Sequence, residues 1–148
     1  MRVDKVTLAG LEATLRLYRD PERALREVPT LALLSAPIEG LEARARLLSD
    51  RLSARGASAE AAPGVSVVGG GTYPDAEIPS WTVRVTAAST GAEELSRRLR
   101  LGDPPVVGRV EDGRLVLDLR TVLPAEDETL ARALGAALAD PGADEPRG

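Results

Sequence analysis

The chain contains no cysteine, no histidine and no phenylalanine, and aromatic residues make up only 2% of it. Without cysteine there is no disulfide and no thiolate metal site, and without histidine the commonest metal ligand and general base is missing. We therefore expect no metal ion and a hydrophobic core built from leucine, valine and alanine. The lack of cysteine also fits a cytoplasmic protein, because disulfides are rare in that compartment.

Clustered positive charge is scarce as well. The net charge is −4, and arginine and glutamate alternate along the helical segments as they do on solvated faces. Because nucleic-acid binding depends on clustered basic residues that neutralise phosphates, we do not expect this chain to bind nucleic acid by itself. No apolar run approaches the ~20 residues of a membrane span, so a membrane partner is not expected either.

The first part of the chain, residues 1–56, is predicted to be helical. Apolar residues recur at spacings of three and four along the first helix: Leu8, Leu11, Leu15 and Tyr18. Asp20 and Pro21 are a capping residue and a first-turn proline for a second helix, whose buried side is expected to contain Leu25 and Val28. Residues 30–35 favour a further turn or two of helix.

A longer helix is predicted to begin at Pro37 and to end at Gly56, a residue suited to a helix C-terminus. One apolar face runs along it: Ile38, Leu41, Ala45, Leu48 and Leu52. The stretch 57–63 fits either a loop or an additional edge strand.

The period then changes to that of strands. Short β segments are predicted around residues 65–68, 81–86, 106–110 and 115–119, with helices over 92–99 and after Pro124. The order predicts an α+β fold in which N-terminal helices precede a small, mostly antiparallel sheet (β-β-α-β-β-α) covered by helices. We expect residues 1–56 to be a helical lead-in, 57–139 a small α/β domain and 140–148 a disordered tail.

The Asp112-Gly113 pair between two strands predicts a two-residue hairpin turn, which fixes the register. In this register Arg109 lies opposite Val116, and Arg109 and Asp118 are diagonal neighbours. One interpretation is a partly exposed ion pair that stabilises the fold by ~0–1 kcal/mol. The other is that Asp118 orients Arg109 to hold an anion, since an arginine fork suits carboxylate or phosphate.

A run of glycines, Gly69-Gly70-Gly71-Thr72, offers backbone N–H groups that could converge on an anion. The spacings of the phosphate-binding loops are absent, and Pro74 and Pro79 disfavour a following helix. A flexible connection between strands, or a close approach at a domain or subunit contact, fits the run better than a nucleotide loop.

Several motifs together resemble bacterial L-seryl-tRNA(Sec) selenium transferase. They are Arg2-Val3-Asp4-Lys5, Leu11-Glu12-Ala13-Thr14-Leu15, Asp20-Pro21-Glu22, Val68-Gly69-Gly70-Gly71, Pro79-Ser80-Trp81, and the stretch from Pro104 to Val122. The last stretch is close to the family pattern PPVIGRVEDGRLLLDLRTV. The resemblance covers most of residues 2–139 and implies a small C-terminal domain like that of fold-type-I pyridoxal-phosphate enzymes.

The resemblance implies that the parent enzyme uses pyridoxal phosphate, acts on tRNA(Sec) and forms homo-oligomers. It places the Schiff-base lysine in a segment ahead of the Arg2–Lys5 motif, so we expect no catalytic residue, no cofactor-binding residue and no bound cofactor here. Lys5 is rejected for that role because it lies at a helix entry with no evident partners for the cofactor. Arg2 matches a family arginine suited to the selenium-donor anion.

Three hypotheses follow from the sequence. The chain is the C-terminal domain of the selenium transferase, inactive alone and completed by the remainder of the enzyme. Alternatively it is a fragment of a related pyridoxal-phosphate lyase, or a non-catalytic interaction domain. The match over residues 104–122 favours the first.

Overall fold

The structure, a computed structural model, describes residues 2–68, 77–87 and 90–139. These residues form six α-helices and a four-stranded antiparallel sheet, which confirms the predicted α+β class. The chain divides into two compact units at the boundary between Pro37 and Ile38. Among the described helices, none is both long and apolar enough to cross a membrane.

The first unit contains three helices: α1 (Lys5–Leu17), α2 (Pro21–Glu27) and α3 (Pro29–Leu34). Asp4 caps α1 by accepting hydrogen bonds from the backbone N–H groups of Val6 and Thr7. Asp20 caps α2 by accepting from the N–H of Arg23, with Pro21 in the first turn as predicted. The predicted helix at residues 30–35 is also confirmed.

The predicted buried side of α2 is wrong. Leu25 is 46% exposed and Val28 is half-buried, whereas Ala24 is only 3% exposed. A helix of seven residues buries only a narrow stripe, and here Ala24 occupies it. The predicted apolar stripe of α1 lies on one helix, but all four of its residues are exposed.

The second unit contains the sheet and the remaining helices. Its elements are α4 (Ile38–Ser53), β1 (Ser58–Val67), β2 (Glu77–Thr86), α5 (Ala92–Leu101), β3 (Arg109–Glu111), β4 (Arg114–Asp118) and α6 (Asp127–Ala139), with 3-10 turns at Leu119–Thr121 and Pro124–Glu126. The succession β-β-α-β-β-α is the predicted one. The strands are ordered β1-β2-β4-β3, and all neighbours are antiparallel.

In helix α4, the apolar periodicity and the C-terminal glycine predict the buried face and the end of the helix. The side chains of Leu41, Ala45, Leu48 and Leu52 are all buried, as the periodicity predicts. Gly56 follows with φ of +86°, a left-handed conformation that favours glycine. The N–H of Ala57 then donates to the carbonyl of Leu52, and that of Gly56 to the carbonyl of Ser53, so the helix ends in a Schellman motif.

All of the ambiguous stretch 57–63 except its first residue belongs to β1, an edge strand that begins at Ser58. Pro63 is tolerated there because one side of an edge strand needs no ladder hydrogen bonds. Of the two alternatives left open by the sequence, the strand is therefore correct.

The sheet has two chemically different faces. Helices α4 and α5 pack on the face that carries Val83, Val85, Leu115 and Leu117, and α6 packs on both helices. All buried apolar side chains in the described residues are leucine, valine or alanine, as expected. The opposite face, which we call the polar face, carries Glu60, Ser66, Ser80, Thr82, Arg84, Arg109, Glu111, Arg114, Val116 and Asp118.

Two sequence predictions cannot be compared with the structure. The glycine run at residues 69–72 and the tail at 140–148 both lie outside the described residues.

Candidate functional site

The β3–β4 hairpin has the predicted register. Val110 pairs with Leu115, Arg109 with Val116, and Glu111 with Arg114. Asp112 and Gly113 both have positive φ, of 50° and 71°, as the two central residues of a type I′ turn require. The hairpin therefore places Arg109 on the polar face of the sheet.

Gly108 allows the chain before β3 to approach β4 closely. A Cβ at this position would lie 2.7 Å from Leu115 Cδ1 and 3.0 Å from Leu117 Cδ2. A side chain larger than hydrogen would force these two core residues to move. The glycine ahead of Arg109 is therefore required by packing.

The predicted ion pair between Arg109 and Asp118 is wrong. Arg109 Nε instead lies 2.5 Å from Glu111 Oε1, and both side chains are 47% exposed. Strand β3 begins at Arg109, so none of its residues pairs with Asp118, whereas Glu111 is two residues from Arg109 on the same face. The interpretation in which Asp118 orients Arg109 is therefore withdrawn, while anion binding by Arg109 stays a prediction.

Asp118 has a different set of partners. Its carboxylate accepts hydrogen bonds from Ser66 Oγ, from Ser80 Oγ at 2.5 Å and from the backbone N–H of Arg120 at 3.0 Å. These donors come from β1, β2 and the 3-10 turn after β4, and both serines are buried. Asp118 thus links three strands and caps a turn, which is a structural role.

Arg120 contributes to the same end of the sheet. Its side chain is only 6% exposed, and its Nε and Nη2 atoms donate to the carbonyl of Pro79 at 3.2 and 2.7 Å. The guanidinium therefore ties the turn after β4 to β2. Ser66, Ser80 and Pro79 were missed as partners because they lie some 40 to 50 residues away in sequence.

A polar cavity of about 280 Å³ lies elsewhere on the polar face. It is lined by Arg84, Glu111, Asp112, Arg114 and Val116. Arg114 Nη1 lies 3.1 Å from Glu60 Oε2 on β1. Arg84 was also missed by sequence reasoning, because its position in an alternating strand signals only that its side chain faces away from Val83 and Val85.

The Arg2–Lys5 motif lies at the entry of α1. Arg2 and Lys5 are exposed. Asp4 has a structural function as the helix cap. The hydrogen bonds from the hydroxyl and backbone N–H of Thr7 lower the pKa of Asp4 below its ordinary value, because they stabilise the ionised carboxylate.

Comparison with known proteins decides the family. The sequence model of the family described as L-seryl-tRNA selenium transferase matches residues 1–123. The chain belongs to the L-seryl-tRNA selenium transferase family. The match includes the Arg2–Lys5 motif and the whole β3–β4 hairpin, so the resemblance noted in the sequence is confirmed.

Individual selenium transferases are similar throughout the chain. The L-seryl-tRNA(Sec) selenium transferase of Moorella thermoacetica is 49% identical over 142 residues, which cover 93% of this chain and 30% of the relative. That of Nitratidesulfovibrio vulgaris is 50% identical over 143 residues, with the same coverage. That of Desulfomicrobium baculatum is 49% identical over 142 residues, covering 94% of the chain and 30% of the relative.

The chain thus spans about 30% of the length of these selenium transferases. The candidate site residues described above all lie within this 30%. Arg2 belongs to the first unit, and Arg109 and the cavity beside Arg84 belong to the second. In the described residues of both units, the candidate side chains are cations and carboxylates suited to binding and positioning.

Proposed function

We propose that this chain is the C-terminal domain of a selenium transferase that converts seryl-tRNA(Sec) to selenocysteinyl-tRNA(Sec). The observation that carries the proposal is the family match over residues 1–123, together with about 49% identity to named selenium transferases along 93% of the chain. The remainder of the enzyme, tRNA(Sec) and further subunits are the proposed partners. The chain alone is expected to be inactive.

Pyridoxal phosphate is the cofactor proposed for the whole enzyme, where it would supply an electron sink for chemistry at the seryl carbon atoms. The described residues of this chain do not fit a site for it. The single lysine, Lys5, is exposed at the first turn of α1. The Schiff-base lysine is therefore proposed to lie in another part of the enzyme.

The exposed stripe of α1 supports a contact with the remainder of the enzyme. Leu8, Leu11, Leu15 and Tyr18 are 50 to 57% exposed. An exposed apolar stripe of this kind marks an interaction site more often than a solvated one. A further part of the same protein is the partner that the 30% coverage of the relatives suggests.

A chimera tests the proposed function. The matching segment of the Moorella thermoacetica enzyme would be replaced by this chain, and conversion of seryl-tRNA(Sec) to selenocysteinyl-tRNA(Sec) would be measured. Activity in the chimera but not in the isolated chain is expected. A chimera that folds and assembles but makes no selenocysteinyl-tRNA would contradict the proposal.

The isolated chain offers a second arm of that experiment. Pyridoxal phosphate would be added, followed by borohydride and mass mapping. We expect no stoichiometric adduct, because Lys5 is exposed at the first turn of α1 and, among the described residues, is not enclosed by groups that would hold the cofactor. A stoichiometric adduct on Lys5 would overturn the placement of the cofactor site outside this chain.

Arg2 and Arg109 are the residues proposed to contact anions in the complete enzyme. For Arg109→Ala in the active chimera, we expect turnover to fall while the melting temperature stays within about 2 °C, because an exposed pair contributes little to stability. Arg97→Ala is the matched control, since Arg97 also forms an exposed ion pair, on α5. Equal turnover in both variants would leave Arg109 as ordinary surface.

A further inference from the structure

Arg84 lies at the centre of the polar face. It pairs with Glu60 of β1 on one side and with Val116 of β4 on the other, and Val116 in turn pairs with Arg109 of β3. Arg84 therefore stands in a row that crosses all four strands. Such a central position is normally occupied by a side chain whose polar atoms have partners, because water has limited access to it.

Arg84 lacks such a partner. Its Nε atom is shielded from solvent and has no hydrogen-bond partner in the described structure. The glutamate directly opposite it, Glu60, extends to Arg114 instead, and Glu111 pairs with Arg109. Three carboxylates lie in this region beside the three arginines, and two of them, Glu60 and Glu111, are already engaged by Arg114 and Arg109.

A buried donor without an acceptor destabilises the folded chain, so its presence calls for an explanation. Arg84 also lines the cavity of about 280 Å³, where it is joined by Arg114 from β4. That volume exceeds by several times the ~30 Å³ that one water occupies in the liquid. The cavity is therefore large enough to hold a small ion beside two guanidinium groups.

The chemistry of the cavity selects the kind of ion. One arginine fork matches the two oxygens of a carboxylate, whereas two guanidinium groups from different strands match a group with three or four acceptor oxygens. Glu111 and Asp112 line the same cavity, and their negative charges disfavour a bulky polyanion that would cover them. These features suit a single tetrahedral oxyanion.

We infer that the polar face carries a binding site for one phosphate group, with Arg84 as its principal ligand and Arg114 as the second. The group belongs to free phosphate or to one residue of an RNA backbone, which present the same oxygens. The site uses only side chains of this chain, so the inference does not depend on the proposed transferase activity.

The direct test observes Arg84 in the 148-residue chain by nuclear magnetic resonance. The Nε–H resonance of Arg84 is assigned by its absence in Arg84→Lys. Sodium phosphate, sodium sulfate and a short single-stranded RNA are then titrated separately, with sodium chloride at matched ionic strength as the blank. We expect phosphate and sulfate to shift this resonance saturably and chloride to leave it unchanged.

Phosphate affinity measured in three variants shows which side chains form the site. Arg84→Gln is expected to weaken phosphate binding about tenfold or more, since a charge-assisted pair is lost. Arg114→Gln is expected to weaken it less. Arg97→Gln removes the same charge from the surface of α5 and is expected to change the affinity by less than about twofold.

The RNA arm distinguishes the two sources. RNA that competes with phosphate for the Arg84 resonance would support the site and identify backbone phosphate as its ligand. Phosphate binding without RNA competition would support the site and identify the free ion. An Arg84 resonance that no oxyanion shifts would overturn the inference, as would equal phosphate affinity in Arg84→Gln and the parent chain.

Loss of folding in Arg84→Gln would not block the test. The titration of the unsubstituted chain still reports on the site. Arg114→Gln also remains usable, because the side chain of Arg114 is half-exposed and its replacement should not prevent folding. A saturable shift in the former and weaker binding in the latter support the site, and the absence of both overturns it.

Discussion

At the scale of single residues, the side chain of Arg44 on α4 donates four hydrogen bonds. Its Nε and Nη2 atoms bind the two carboxylate oxygens of Asp127 at 2.8 and 2.6 Å. Its Nη1 and Nη2 atoms also donate to the carbonyls of Leu119 and Val122. One side chain therefore connects α4 with α6 and with the 3-10 turn between β4 and α6.

We expect Arg44→Ala to lower the free energy of unfolding by about 2–4 kcal/mol, because it leaves a carboxylate and two carbonyls without their donor. Chemical denaturation of the purified chain gives this value. The side chain of Arg44 is only 17% exposed, so solvent can replace the lost contacts only in part.

The same pair of helices provides the control. Arg51 and Glu128 also connect α4 with α6, at 2.6 Å, but their side chains are 43% and 79% exposed. Arg51→Ala is expected to cost no more than about 1 kcal/mol. Equal losses for the two arginines would show that burial does not control the strength of these pairs.

Glu94 is the residue whose ionisation depends most clearly on the fold. Hydrogen bonds from Arg97 and then from Arg98 lower the pKa of Glu94 from its ordinary 4.5 to about 2. The folded pKa lies below the unfolded one, so the stabilisation is complete above about pH 4.5 and is lost as the pH falls toward 2.

We expect a carbon-13 titration of the Glu94 carboxylate to show this low pKa, and Arg97→Gln to raise it toward 4.5. In Glu94→Gln, the contribution of this carboxylate to the acid sensitivity of stability should disappear. A Glu94 carboxylate that titrates near 4.5 in the unsubstituted chain would contradict the contacts seen on α5.

At the scale of elements, α1 is stabilised by contacts among its own residues, while its apolar stripe is exposed. Asp4 caps it, Arg16 pairs with Glu12 one turn away, and its apolar stripe is exposed. We expect Leu11→Glu to leave the melting of the isolated chain nearly unchanged, since Leu11 is already 54% exposed. In the complete enzyme or the chimera, the same change should weaken assembly.

Size-exclusion chromatography and thermal melting of both forms measure this difference. Glu12→Gln is the control, because it changes the charge of α1 beside the stripe without placing a charge on it. If Leu11→Glu destabilised the isolated chain as much as the chimera, the stripe would be stabilising α1 locally and not joining it to another part of the enzyme.

In the β3–β4 hairpin, local residues determine the turn and the register but not the ion-pair partner of Arg109. Its turn type and register follow from Asp112 and Gly113, whose positive φ angles few other residue pairs accept. The ion-pair partner of Arg109 could not be predicted from this register. Its side chain can reach both Asp118, the diagonal neighbour across the hairpin, and Glu111, two residues along the same strand. Because β3 begins only at Arg109 and does not extend to a residue opposite Asp118, Arg109 pairs with Glu111 on its own strand.

At the scale of the whole molecule, the two units differ in how much they bury. In the described residues of the first unit, Ala24 is the only buried apolar side chain, whereas the second unit contains all the others. Because local stability follows buried apolar contacts, amide hydrogens of α1–α3 should exchange much faster than those of α4 and the sheet.

A chain that begins at Ile38 tests the same difference. It is expected to unfold cooperatively, with a free energy of unfolding within about 1 kcal/mol of the full chain, because all the buried apolar residues of the second unit are retained. Far-UV circular dichroism during denaturation measures this. A broad, non-cooperative transition in the shortened chain would show that residues before Ile38 are needed for the second unit to fold.

The sequence by itself determined the features that depend on near neighbours. Caps at Asp4 and Asp20, the glycine end of α4 and the hairpin register follow from residues within one turn of each other. The change of period at Gly56 likewise marks the change from helix to strand. The compact units divide at Pro37 instead, because α4 packs on β1 and β2, and that packing is not encoded in any local pattern.

The tertiary structure alone decided which polar groups meet. The strand order β1-β2-β4-β3 brings Ser66 and Ser80 to Asp118 across 52 and 38 residues. It also surrounds Arg84 with glutamates that pair elsewhere. Periodicity states which face a side chain occupies, but long charged side chains choose among several neighbours on that face, so their partners depend on the assembled sheet.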